Sequence, residues 1–431
     1  MSEAAEPLAR FLWLPPGARP KIRLPRTQER IFLLLGLSLL FGGYDLNIYG
    51  LALPQIQAAL HIPEDMAGPT VSLFRLAAFP ALLLAMSADV FGRRRLLLFT
   101  VFGEAIFTVA TSFAQDYAQF VWLQVFARLF GYCEELLCVV VIVEEIDAAV
   151  RGWANGILGA IYSFGAGIAS IAFAAVNFLP YRWRALYFIG GGMLLILASY
   201  RRLLPETGRF ENRRKEIEEL GSKWRGMTDA LSHLVHDYPG RLVAVCAMLF
   251  SFGFAIGPAT VLMSKYLQQT HHYAPLQVTV LYICGGLISV AGNIAAGRLS
   301  DRLGRKRVVF TTAALSGVFY AVFFSGIGGW VLPLSWIVAV FGYLASDALM
   351  AGYAVEIFPT AYRATVSGIR YCVLYSGGAV GLALEGPLYN WLGAHGPAVS
   401  FALALMPLTL VAILFLPETA GKNLEEISVE V

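Results

Sequence analysis

The stretch Asp89-Val90-Phe91-Gly92-Arg93-Arg94-Arg95 returns 212 positions later, from 89 to 301, as Asp301-Arg302-Leu303-Gly304-Arg305-Lys306-Arg307. Two other motifs keep that register. Glu144 with Arg151 returns as Glu356 with Arg363, and Pro205-Glu206-Thr207 returns as Pro417-Glu418-Thr419. Three motifs at one offset, close to half of the 431 residues, make the chain a tandem repeat of two structural halves. In a membrane such halves are related by an axis along the membrane normal.

A membrane is where the halves belong. With 58% hydrophobic residues, only 14% charged and a mean hydropathy of +0.65, the chain departs from soluble domains, which are about a quarter charged. Apolar runs of about 20 residues, enough to cross hydrocarbon, occur at roughly 31–53, 69–88, 96–114, 118–143, 153–179, 185–204, 241–267, 276–297, 308–327, 331–355, 365–389 and 396–416. The expected fold is therefore an all-α membrane protein of twelve transmembrane helices in two six-helix pseudo-symmetric bundles. Lys and Arg accumulate in cytoplasmic loops, and Arg93 to Arg95, Arg151, Arg201, Arg202, Arg209, Arg213 to Lys215, Arg302, Arg305 to Arg307 and Arg363 all fall on one side. This predicts a multi-pass protein of the cell (inner) membrane with both termini cytoplasmic. The expected divisions are a tail at 1–30, bundles at 31–205 and 240–417, linker helices at 206–239 and a tail at 418–431. The linker run Asn212-Arg213-Arg214-Lys215-Glu216-Ile217-Glu218-Glu219-Leu220 reads as a solvated surface helix.

Other classes are disfavoured. The net charge of +3 sits in short clusters between apolar runs, so no nucleic-acid partner is expected. The five cysteines all lie in apolar segments without metal-type spacing, and the six histidines lie in loops or at loop edges. Neither a metal nor a cofactor is expected, and no nucleophile with its base suggests an enzyme. The expected partners are the lipid bilayer, a small-molecule substrate and protons; a monomer is expected. Residues 1–30 lack the apolar core and small-residue cleavage site of a signal peptide, so they are expected to be a retained tail.

Inside the spans the charges are the anomaly. Asp45, in Phe41-Gly42-Gly43-Tyr44-Asp45-Leu46-Asn47-Ile48-Tyr49-Gly50, stands in a run from Ile31 to Leu53 with no other ionisable side chain except the two phenols. A lone charge there costs on the order of 3 kcal/mol. Counting inward, Asp45 lies 15 residues from Arg30 and Arg128 lies 16 from Glu144, depths of about 22 and 24 Å at helical rise. Pairing with Arg128 would keep Asp45 ionised, whereas withdrawal of the arginine would favour a proton on it, as proton coupling requires. A static pair that merely fixes two helices is the alternative. Glu135, seven residues past Arg128, shares its face with Gln124 and Gly131. The repeat offset carries Glu135 to Asp347. The two would face one another if spans 4 and 10 line a central cavity, as the family fold that the repeated motifs resemble implies, or each would pair locally with an arginine. Arg370, with Arg75 and Arg128, is a candidate for attracting an anionic substrate or for the interface. Glu104 falls mid-span, protonated or locally hydrogen-bonded, in a third helix that faces lipid in the family fold that the repeated motifs resemble. Glu134 is a further acid of span 4, and Glu385 with Lys265 is expected at the interface.

Taken together, D-x-x-G-R-R/K-R after spans 2 and 8, E…R after spans 4 and 10 and P-E-T after spans 6 and 12 resemble the major facilitator superfamily. Within it they resemble the sugar porters and related metabolite-proton symporters. The resemblance implies that Asp89, Arg93, Glu144, Arg151, Asp301, Arg305, Glu356 and Arg363 gate the cytoplasmic ends, with helix caps and topogenic charge as the plainer reading. It also implies that Asp45 in Gly43-Tyr44-Asp45 and Arg128 in Arg128-Leu129-Phe130-Gly131 couple protons. Gly297 stands four residues before Asp301 as in the family, whereas Ala85 replaces it in the first copy. Span 7, Ser251-Phe252-Gly253-Phe254-Ala255-Ile256-Gly257-Pro258-Ala259, lacks the glutamines of hexose porters, and Ala351 replaces their tryptophan. The expectation is a proton-coupled symporter of a small polar or anionic metabolite, with Gln124, Glu135, Asp347, Arg370, Asn47 and Tyr49 as substrate candidates. Proton-antiport efflux, sugar-proton symport and a non-transporting solute receptor are the alternatives.

Overall fold

The computed structural model describes residues 11–15, 19–20, 22, 24–88, 92–146, 150–201, 232–359 and 362–419. Asp89, the side chains of Glu144, Arg151 and Asp301, the first Pro-Glu-Thr motif and most of the central charged segment lie outside that description. The helices are α1 (Arg26–Leu60), α2 (Ala67–Leu76), α3 (Ala78–Met86), α4 (Arg93–Thr111), α5 (Tyr117–Glu145), α6 (Arg151–Ala174) and α7 (Trp183–Arg201). After the linker come α8 (Pro239–Gln269), α9 (Pro275–Leu303), α10 (Arg305–Phe324), α11 (Val331–Glu356), α12 (Arg363–Leu392), α13 (His395–Leu403) and α14 (Met406–Phe415). The expected spans 2 and 12 are each a broken pair, α2 with α3 and α13 with α14; the others are single helices.

Proline places both breaks. A helical proline has no N–H for the carbonyl four residues earlier and its ring crowds that carbonyl. Pro80 stands four residues after Leu76, where α2 ends, and Pro407 four after Leu403, where α13 ends. The repeated loop turns on glycine. Gly92 and Gly304 have φ of 93° and 103°, conformations open to glycine and strained for other residues, and each reverses the chain directly into α4 or α10.

Eight helical segments have the length and hydropathy to cross a bilayer among the described residues. Charge lowers the hydropathy of others: Glu104 in α4, Arg128 with Glu134 and Glu135 in α5, Arg370 with Glu385 in α12.

Packing divides the chain into two compact units. One is Met1–Tyr49 with Ala77–Gly221, the other Gly50–Leu76 with Ser222–Val431. The division cuts α1 at Gly50, whose carbonyl is the one that Pro54 cannot bond. In the first unit α4 packs on α5 and α7, and α3 on α5. A Cβ on Gly43 would stand 2.2 Å from the Tyr162 carbonyl oxygen, and one on Gly165 1.9 Å from that of Leu40, so α1 and α6 cross backbone to backbone. In the second unit α8 packs on α12 by the same device. A Cβ on Gly253, Gly377 or Gly381 would meet the carbonyl oxygen of Leu374, Phe250 or Phe254 at 2.1–2.3 Å. Small residues at helix contacts are how membrane helices come close without a hydrophobic drive between them.

Candidate functional site

The first unit holds a buried charge cluster about Asp45. The Gly43 crossing and the Tyr44 hydroxyl, which donates to the Leu186 carbonyl at 3.1 Å, set the rotation of α1. Asp45 is then turned towards α5 and is 1% exposed. Arg128 donates through Nη1 to Asp45 Oδ2 at 3.0 Å and through Nη2 to the Asp45 carbonyl at 3.0 Å and to Gln124 Oε1 at 3.2 Å. The Gln124 amide donates in turn to Thr111 Oγ1 at 3.0 Å, so α4 props the arginine through one intermediary. Asp45 Oδ1 is buried and accepts no hydrogen bond among the described residues. The pair read from depth along the helices is therefore present, with Gln124 as its support.

A second pair lies in the same unit. Arg201 of α7, read from sequence as topogenic, is fully buried with its Nη1 2.8 Å from Glu134 Oε1. Glu104 also departs from expectation. It is buried inside the unit instead of facing lipid, its Oε1 2.9 Å from where a Cβ on Gly131 would stand. The sequence signal that could have found it is Gly131 itself, one turn after Arg128, which clears space for a carboxylate arriving from α4. A small recess is lined by Ser38, Leu39, Gly42, Leu46, Glu104, Ala127, Arg128, Gly131, Tyr132, Glu134, Glu135 and Tyr162. Glu135 therefore shares a wall with Arg128, as the seven-residue spacing predicted. Asn47 donates to the Gly43 carbonyl at 2.8 Å, and Tyr49 is buried with its ring stacked on Phe120.

In the second unit Arg370 is the cation that acts on Asp347, with no ion pair or hydrogen bond between the two among the described residues. At the repeated loop Arg305 pairs with Glu356, and Glu356 Oε2 accepts from the Thr419 hydroxyl at 3.0 Å. Glu418 of the Pro-Glu-Thr motif accepts from the backbone N–H of Arg305 at 2.8 Å and Lys306 at 3.4 Å, an anion on the N-terminus of α10. Arg363 is near neither in any described hydrogen bond: its Nε and Nη2 have no partner among the described residues. In the first half only Arg93 is described, buried and donating to the Ala88 carbonyl at 3.2 Å.

Lys265 and Glu385 are buried within the protein, at 0% and 1% exposure. Lys265 pairs with Glu64 in the α1–α2 connection and donates to Gln57. His395 lies 2.6 Å from Glu385 and 3.1 Å from Glu64. Among the described residues no group of three or more His, Cys, Asp or Glu side chains is placed to hold a metal ion.

The family model of the Major Facilitator Superfamily matches residues 35–296 and 243–430. The chain belongs to the major facilitator superfamily. It is accordingly a multi-pass membrane transporter with twelve helices in two halves. Its curated relatives include a cis,cis-muconate transport protein of Acinetobacter baylyi, 26% identical over 394 residues and covering 88% of this chain and 91% of the relative. A gallate transporter of Pseudomonas putida is 24% identical over 423 residues, covering 88% and 91%. Among solved structures, the inward-open xylose transporter XylE of E. coli superposes with a TM-score of 0.75 at 17% identity, over 93% of this chain and 98% of that one. That likeness is one of fold.

Proposed function

We propose that this superfamily member is a proton-coupled symporter that takes up a small organic acid by alternating access, with Asp45 and Arg128 as the coupling pair. The observation that carries the reading is the buried fork of Arg128 on Asp45 Oδ2, with Asp45 Oδ1 left without a donor. In an apolar span an ionised carboxylate persists only while a cation faces it. An anion that drew Arg128 away would leave Asp45 to take a proton, linking substrate and proton in one site. Muconate and gallate, named for two relatives, are carboxylates, and Arg75 offers a guanidinium against Gly257 and Gly378 of the second unit. Gln124, Glu135, Asp347, Arg370, Asn47 and Tyr49 remain the proposed substrate contacts. Arg305, Glu356 and Arg363, with Asp89, Arg93, Glu144, Arg151 and Asp301, remain the proposed cytoplasmic gate.

The test is flux in proteoliposomes holding the purified protein, with cis,cis-muconate and gallate as probes. An inward proton gradient should drive accumulation, and Asp45→Asn should abolish accumulation while retaining exchange. Accumulation by Asp45→Asn equal to wild type refutes the coupling role.

A further inference from the structure

About Asp45 three buried acids face only two buried arginines, since Arg93, the third buried arginine of the first unit, donates to the Ala88 carbonyl. Asp45 of α1 is paired with Arg128 of α5, and Glu134 of α5 with Arg201 of α7. Glu104 of α4 is left over. The charged groups that face it are Glu134 and Asp45, which repel its anion, and Arg128 and Arg201, each already engaged by another acid. Among the described residues Glu104 itself makes no side-chain hydrogen bond or ion pair. Its carboxyl is also not on the lipid surface, since Oε1 lies in a notch between two glycines. Virtual Cβ atoms on Gly42 of α1 and Gly131 of α5 would stand 4.0 and 2.9 Å from it. Those are the two helices that the Asp45–Arg128 bond joins.

We propose that Glu104 is a second proton-carrying group of this transporter, holding a proton in the seam between α1 and α5 while Asp45 stays ionised against Arg128. A buried carboxyl with no cation of its own is neutral sooner than charged. With a proton on Glu104 the fully buried part of the cluster is two acids on two arginines, electrically even, with Glu135 half-buried on the recess wall. The recess lined by Arg128 is also lined by Glu104, so a proton on Glu104 removes one negative charge from the path of an anion reaching the arginine. The proton is bound from water and returned to water, and no other bond changes. The glycines fit this role as well. A side chain at Gly131 would displace Glu104, and a movement of α1 against α5 would alter the surroundings of Glu104 and Asp45 together. The proposal rests on the proton-coupled reading of Asp45 and Arg128 for its use in transport, but the location of the proton can be measured without transport.

Infrared difference spectra of the purified, lipid-reconstituted full chain, recorded while the pH is stepped, read protonated carboxyl groups through their C=O stretch. A protonated-carboxyl band should be present at neutral pH in the wild type, persist in Asp45→Asn and Glu134→Gln, and vanish in Glu104→Gln. A band lost in Asp45→Asn and kept in Glu104→Gln would put the resting proton on Asp45. That overturns the role of Glu104 while leaving the coupling reading intact. A wild type without the band overturns it too. Conversely, proton-driven accumulation by Asp45→Asn would sink the coupling reading and leave the band assignment standing. If Glu104→Gln does not fold, Glu104→Asp replaces it. The band should then shift in frequency and in titration midpoint, and an unchanged band and midpoint would refute the proposal.

Discussion

Removing the charge of Asp45 while keeping its shape strands Arg128 in the interior of the first unit, and the cost of that can be worked out. At the observed 3.0 Å separation, two unit charges attract by about 5 kcal/mol at an effective dielectric of 20. Their joint desolvation offsets much of this, so a buried pair contributes little beyond what apolar groups would, whereas breaking it from one side costs ~3–5 kcal/mol. Asp45→Asn alone should therefore destabilise by ~3–5 kcal/mol. Arg128→Met should cost less at low pH than at neutral pH, because the orphaned carboxylate can take a proton. The double variant Asp45→Asn/Arg128→Met should lie within ~1 kcal/mol of wild type, giving a coupling of at least ~2 kcal/mol. The assay is denaturant or thermal unfolding of the four proteins in one detergent at fixed pH, with Trp fluorescence as the signal. Additivity to within ~0.5 kcal/mol would mean that the two side chains do not act as a pair, and the coupling reading would lose its physical basis.

Other outcomes follow from local geometry. Gly165→Val places atoms where the Leu40 carbonyl stands 1.9 Å from a Cβ, so it should lower the yield of folded protein sharply; near-normal yield and melting temperature would contradict the α1–α6 crossing. Lys265→Met leaves Glu64 without its cation beside His395 and Glu385, and because Glu64 is 44% exposed to water it should cost ~1 kcal/mol in unfolding, whereas an unpaired surface lysine would cost almost nothing. Glu418→Gln removes the anion from the N-terminus of α10 and should cost ~1 kcal/mol. Gly304→Ala should cost more, since φ is +103° and the new Cβ would stand 2.5 Å from Glu418 Oε2; equal costs would show that the turn is not strained by a side chain.

What the sequence determined by itself is whatever repeats along the chain or counts along a helix. The shared offset of Asp89 and Asp301 established two halves, and the apolar run lengths established the spans. Rise per residue put Asp45 and Arg128 at one depth, and the structure pairs them. Gly92 and Gly304, at matching places in the two motif copies, both turn the chain at positive φ. Depth, however, leaves the rotation of each helix about its own axis open, and rotation decides which side chains meet. That is why Glu104 read as a lipid-facing oddity and Arg201 as a topogenic charge. The glycine crossing of α1 on α6 and the packing of α4 and α7 on their neighbours turn both side chains inward. The same holds for Lys265 and His395, whose partner Glu64 lies about two hundred residues or more away in the chain, and for Glu385, which meets His395. The hydropathy of α1 likewise shows one continuous span, whereas the packing divides it at Gly50, because an apolar run records that a helix prefers lipid or protein to water but not which neighbours its two ends choose.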